Sequence, residues 1–130
     1  MNTCPCGGGR PLDRCCGPYH AGTTAPTAEA LMRSRYSAYV LGLEDYLRAT
    51  WHPGTCPADL DLHSEPAPKW LGLEVRRHHQ TDADHAIVEF VARWREAGKG
   101  RRLHETSRFE RTAEGRWVYL DGKLHGNLDQ

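Results

Sequence analysis

AIVEFVARWREAGKGRRLHETSRFER, residues 86–111, alternates with period two on either side of a short break. Ala86, Val88, Phe90, Ala92 and Trp94 share one face of an extended chain, and Ile87, Glu89, Val91 and Arg93 share the other. Gly98 and Gly100 supply a turn, after which Leu103 to Arg111 resumes the alternation. A further strand is expected from Trp117 to Leu120, beyond the hairpin turn AEG (113–115). Upstream, Leu71, Leu73 and Val75 alternate with Glu74 and Arg76 and mark another. The chain before these strands has a different period. From Ala28 to Leu41 it reads as a helix, with Thr27 as N-cap, Glu29 near the positive end of the helix dipole and Gly42 as the stop. Met32, Tyr36, Tyr39, Val40 and Leu43 fall on one stripe, with Leu31 and Ala38 alongside, while Arg33 and Arg35 take the flanks. A second helix is expected from Glu44 to about Thr50, ended by His52-Pro53-Gly54, and PADLDL (57–62) is expected to start a short third one. Helices followed by antiparallel strands predict an α+β domain with the helices on one sheet face.

The N-terminal stretch CPCGGGRPLDRCC (4–16) carries the chemistry. Cys4, Cys6, Cys15 and Cys16 form two pairs of thiols around a Gly-rich, polar turn, which is the donor set of one tetrahedral zinc ion. Gly7, Gly8 and Gly9 can adopt the positive φ values of a tight loop. Four protein thiolates leave no open coordination position, so the zinc is expected to be structural. A disulfide pair is the main rival: Cys4–Cys15 with Cys6–Cys16 is geometrically open, whereas bonds within each close pair are strained. Free thiols are the third alternative. Cys56 stands apart, with no His or acid beside it that would mark a nucleophile. Gly17-Pro18 is read as a break in regular structure and AGTTAP (21–26) as a short linker.

The 130 residues fit one domain with a small appendage. The 17 basic and 17 acidic residues cancel, so no overall field steers the chain to nucleic acid or a membrane. No apolar export segment follows Met1 and no span is long enough for a membrane, which predicts a cytoplasmic protein with reduced cysteines.

The spacing C-x-C-x8-C-C resembles the SEC-C motif, the zinc module at the C-terminus of the preprotein translocase ATPase SecA. In that pattern the fourth ligand is often His, so Cys16 takes its place and His20 is the reserve ligand, against a solvent-facing loop His. The helix-then-strand order resembles the nuclear transport factor 2-like fold, a bent sheet wrapped round a helix with a cone-shaped hollow between. LMRSRYSAYV (31–40), TW (50–51) and LHETSRFER (103–111), with the N-terminal motif, are similar to the YchJ-like family. That resemblance implies a zinc knuckle over residues 1–22 and a nuclear transport factor 2-like domain over 23–130, and supplies no reaction.

Leu103, Glu105, Ser107 and Phe109 share one face of their strand, and His104, Thr106, Arg108 and Glu110 share the other. If the first face lines the hollow, a carboxylate and a hydroxyl sit among apolar residues, as in a ligand pocket. Glu105 would then act as acid or base in an isomerase- or dehydratase-like reaction, with His104, Ser107, Tyr36 or Tyr39 beside it. The bland alternative pairs Glu105 with Arg33 or Arg35. Tyr36, Tyr39, Trp51, Trp70, Trp117 and Tyr119 furnish aromatic walls or plain core. His78, His79, Asp82, Asp84 and His85 surround a hairpin turn, and Arg93, Arg95, Lys99, Arg101 and Arg102 make a basic tip, both read as solvated surface. Two functions compete. One is a binding or adaptor module whose knuckle, with Arg10 and Arg14, meets a protein or nucleic-acid partner; the other is a small-molecule binder or enzyme using the cone. Binding through the knuckle is the reading preferred from sequence. A filled cone with a salt-bridged Glu105 would favour the first, and an open pocket with an unpaired Glu105 the second.

Overall fold

The computed structural model describes residues 3–60 and 68–125. After the cysteine loop come helices α1 (Gly17–His20), α2 (Ala28–Leu41) and α3 (Glu44–Ala49). Strands β1 (Lys69–Asp82), β2 (His85–Glu96), β3 (Lys99–Arg111) and β4 (Trp117–Leu124) then form a sheet in the order β1-β2-β3-β4, antiparallel throughout.

Local chemistry sets the ends of α2. Thr27 Oγ1 accepts from the Ala30 N–H at 3.1 Å, and Gly42 closes the helix at φ 74°, a left-handed cap that an L side chain disfavours. The β2–β3 hairpin turns on Ala97 and Gly98, both at positive φ, the geometry that matches the right-handed twist of its strands. Register shifts interrupt β1 against β2 at three places and β3 against β4 at Arg108/Phe109. Such bulges bend the strands, and the sheet curves round α2.

The core lies between α2 and the concave sheet face. Leu31, Met32, Tyr36, Val88, Phe90, Ala92 and Phe109 are buried there, on the faces that the alternation assigned. Trp51 joins the edge of β4: His52 N–H donates to Tyr119 O and Tyr119 N–H donates to Thr50 O. That pairing fixes Trp51 beside Tyr119, with ring centroids 5.1 Å apart.

Three expectations fail. Gly17-Pro18 does not break the chain but begins α1, because proline is tolerated in a first turn where its missing N–H has no partner to lose. Residues 57–60 are not helical, and the rest of PADLDL lies outside the described residues. Arg35 is no flank residue: it is 3% exposed, on the same side of α2 as Leu31 and Ala38. The strands are also longer than their alternating segments, since β1 continues through the polar run to Asp82. Among the described residues no helix is long and apolar enough to cross a membrane.

Candidate functional site

The cysteine loop closes on itself through Cys4 N–H to Arg10 O at 2.8 Å, with Thr3 bridged to Pro11. A 3-10 turn, Leu12–Arg14, then delivers Cys15, whose N–H donates to Leu12 O. Cys4, Cys6, Cys15 and Cys16 are all buried, and their sulfur atoms lie within 4.8 Å of one another, so they could hold one metal ion. None of the five cysteines is in a disulfide, and the Cys6 and Cys15 sulfurs are 3.5 Å apart, far beyond a covalent S–S bond. Gly8 adjoins the cluster so closely that a Cβ there would stand 3.3 Å from Cys15 Sγ and 3.4 Å from Cys6 Sγ. Cys6, Cys15 and Cys16 differ in acidity. The hydrogen bond with Cys16 draws the Cys6 thiol down to about 5 against the opposing effect of burial. Burial, reinforced by Cys6, pushes Cys15 up to about 11. The bond to Cys6 and then burial also raise Cys16.

Helix α2 grips this loop. Arg33 Nη1 donates to Cys6 O at 3.0 Å while its Nε pairs with Glu29, and Ser37 Oγ lies 3.4 Å from Cys4 Sγ. His20 takes no place in the cluster. Its Nε2 sits 2.8 Å from Ser34 O and its ring meets Tyr46 edge-on, contacts that tie α1 to α2 and α3.

A cavity of about 260 Å³ opens between α2 and the sheet. Tyr36, Tyr39 and Trp70 wall one part of it, with the Trp70 ring in contact with both tyrosines. Trp51 and Tyr119 wall another, and Phe90, Ala92, Leu103 and Met32 complete the apolar lining. Three polar groups enter it besides the tyrosines: Arg35, Glu105 and Ser107. Ser107 Oγ donates to Glu105 Oε2 at 2.6 Å, and the Tyr119 hydroxyl donates to the same oxygen at 3.2 Å. Burial, and then the neighbouring Glu105, raise the pKa of Tyr119. Among the described residues no cation lies within ion-pair distance of Glu105: Arg33 is engaged with Glu29 and Cys6, and Arg35 donates to Leu47 O and Thr50 Oγ1.

The structure therefore brings Glu105, Ser107, Tyr36 and Tyr39 together and leaves His104 out. His104 lies on the opposite sheet face, 2.7 Å from Glu89, where it lowers the Glu89 pKa. Its ring stacks on His125 at 4.3 Å and 18°. Glu89, His104 and His125 are close enough to be considered as metal ligands. Nearly parallel rings, however, do not aim their in-plane lone pairs at one point, and His125 Nε2 is bonded to Thr106. Trp117 lies outside the cavity in the core, with Arg111 over its ring. Sequence reasoning put Arg35 on a helix flank or in a pair with Glu105 and not in the cavity wall, although its spacing from Leu31 and Ala38 was a visible signal.

Comparison with known proteins follows the same outline. A family model described as YchJ, middle NTF2-like domain, matches residues 27–122. A UPF0225 protein of Ralstonia nicotianae is 58% identical over 93% of this chain and 90% of its own length. One from Chromobacterium violaceum is 57% identical, over 92% and 90% respectively. The solution structure of a SEC-C motif containing protein from Rhodopseudomonas palustris is similar with a TM-score of 0.83 at 36% identity, covering 97% of this chain and 100% of that one. A crystal structure of a SEC-C motif containing protein from Psychrobacter arcticus gives a TM-score of 0.79 at 32% identity, covering 100% of this chain and 86% of that one. The expected order, a SEC-C knuckle ahead of a nuclear transport factor 2-like cone, agrees with both kinds of likeness.

Proposed function

The chain belongs to the YchJ-like family, UPF0225, and on that premise we propose that it is a zinc protein whose metal is structural and whose cone receives a small organic molecule. For the metal, the donor chemistry supports zinc: four thiolates around a borderline-soft ion at about 2.3 Å have sulfur–sulfur edges of about 3.8 Å. The four sulfurs here already lie within 4.8 Å of one another, so small shifts would complete the tetrahedron. Zinc would supply a rigid knot at the N-terminus, with no open position for chemistry. Cys4→Ser or Cys15→Ser is expected to remove bound zinc, read by metal analysis of purified protein. Equal zinc in variant and wild type would defeat the assignment.

For the cone, one observation carries the reading: an apolar cavity of about 260 Å³ contains a carboxylate with no cation beside it among the described residues. A structural Glu105 would be expected to pair with a helix arginine in a filled core. Binding takes precedence over catalysis, since of the groups expected beside Glu105 the imidazole of His104 lies on the opposite sheet face and only the hydroxyls of Ser107, Tyr36 and Tyr39 line the cavity. Filling the cavity tests this directly. Ala92→Leu, in the lining, is expected to abolish the shifts that small aromatic fragments cause in the Trp51 and Trp70 indole resonances. Unchanged shifts would place the fragments elsewhere.

A partner for the knuckle is the second reading. Arg10 and Arg14 stand exposed beside the sulfur cluster, and an acidic surface would fit them. Charge reversal of both should abolish such an association and leave fragment binding intact.

A further inference from the structure

We propose that the molecule bound in the cone is a small zwitterion, an apolar or aromatic α-amino acid or a close analogue, with its carboxylate on Arg35 and its ammonium on Glu105. The inference rests on reading the cone as a small-molecule site and names the class of ligand.

Arg35 is 3% exposed, yet among the described residues no carboxylate lies within ion-pair distance of it. Its Nη1 donates to neutral oxygens, Leu47 O at 2.9 Å and Thr50 Oγ1 at 2.7 Å. The guanidinium lies against both the Trp51 and Tyr119 rings, 4.8 Å from each centroid, where the two rings meet edge-on. Ring faces attract a cation but carry no net charge, so they hold the group without neutralising it. Buried charges are ordinarily paired. Glu105 presents the mirror case. Among the described residues its two hydrogen bonds both fall on Oε2, and Oε1 accepts none.

The two charges flank one ring. Arg35 lies over the face of Tyr119, and Glu105 holds its hydroxyl. A ligand must answer both in a short span. A simple anion would satisfy Arg35 and meet repulsion from Glu105, and a simple cation would do the reverse. A neutral hydrocarbon would leave both charges dry and unpaired. A carboxylate and an ammonium on one carbon fit the compact pair, and the side chain then lies against Trp70, Phe90 and Leu103. The cavity, about 260 Å³, is at the small end for ligand sites and suits a single-ring compound rather than a nucleotide.

The test uses the zinc-loaded full chain and four matched probes: L-phenylalanine, 3-phenylpropionate, 2-phenylethylamine and 3-phenyl-1-propanol. Affinities are read from the Trp51 and Trp70 indole resonances. L-Phenylalanine is expected to bind at least about tenfold more tightly than each analogue. Glu105→Gln is expected to erase its advantage over 3-phenylpropionate while keeping its advantage over 2-phenylethylamine. Arg35→Gln is expected to do the converse; because Arg35 also braces Leu47 and Thr50, the wild-type series and Glu105→Gln stand as the test should that variant not fold. If an analogue matches L-phenylalanine on the wild type, the zwitterion is overturned and the cone reading survives. If none of the four shifts either indole, both are overturned.

Discussion

A methyl group added at Gly122 would occupy the place where the Glu105 carboxylate lies, because that side chain crosses from β3 over the glycine of β4. Gly122→Ala should therefore push the carboxylate away from Ser107 and Tyr119 without touching the cavity's apolar walls. Hydrogen bonds to a charged group are worth about 1.5–3 kcal/mol, so affinity for the zwitterionic probe should fall about tenfold or more. The melting temperature should fall too, because the carboxylate loses its bonds to Ser107 and Tyr119, a loss only partly offset by what alanine in a strand regains in chain entropy. Indole titration and a thermal melt check the two halves; unaltered affinity would mean that Glu105 plays no part in binding. At this scale the sequence was half legible. Strict alternation put Glu105 and Ser107 on the inner face, because a pleated strand allows only two directions. The partner of Glu105 was not legible: Arg33 turned to the cysteine loop and Arg35 to the backbone of α3, choices that depend on contacts distant in the chain.

Helix α2 shows why an element can be found without its surroundings being read. Thr27 and Gly42 announce its ends, and the ends are where expected. Its buried positions extend well beyond one stripe, to Ser34, Arg35 and Ser37, because α3 covers Ser34 and Arg35 and the cysteine loop covers Ser37, on sides that the sheet alone does not close. Polar residues there are tolerated through bonds such as Ser34 Oγ with Tyr46 at 2.7 Å. The periodicity of α2 alone, taken with one expected packing partner, could not reveal a second. Arg33→Ala should test the grip of α2 on the loop. It removes the bond to Cys6 O, a charge-assisted bond worth about 1.5–3 kcal/mol, and should speed amide exchange at Cys4 and Gly7, whose N–H groups close the loop. Cone amides such as that of Tyr119 should keep their protection; equal acceleration everywhere would show that Arg33 braces the whole fold instead.

Sulfur cluster and cone are continuous at the scale of the molecule, for the four cysteines belong to the same buried cluster as Leu31, Tyr36, Val88 and Phe109. The motif spacing made the loop legible as a cluster of four cysteines that could hold a metal ion, and the period-two stretch made the sheet legible, but their shared core arises only when α2 lies between them. Metal removal should therefore be felt beyond residues 4–16, as a lower melting temperature for the protein treated with a chelator. The size of that drop should depend on pH. Metal ligation needs thiolates, while without metal burial and the Cys6 charge keep Cys15 protonated up to about 11 and raise Cys16 as well. Metal must displace those protons near neutrality, so its affinity, and the stabilisation that follows by mass action, grow as pH rises. As pH falls towards about 5, where Cys6 also takes up its proton, the holo protein should converge on the metal-free one. Melting curves with and without chelator at pH 6, 7 and 8, at fixed total zinc, should show a gap that widens with pH. A gap that stays constant across that range would mean that these thiols are not what the metal binds.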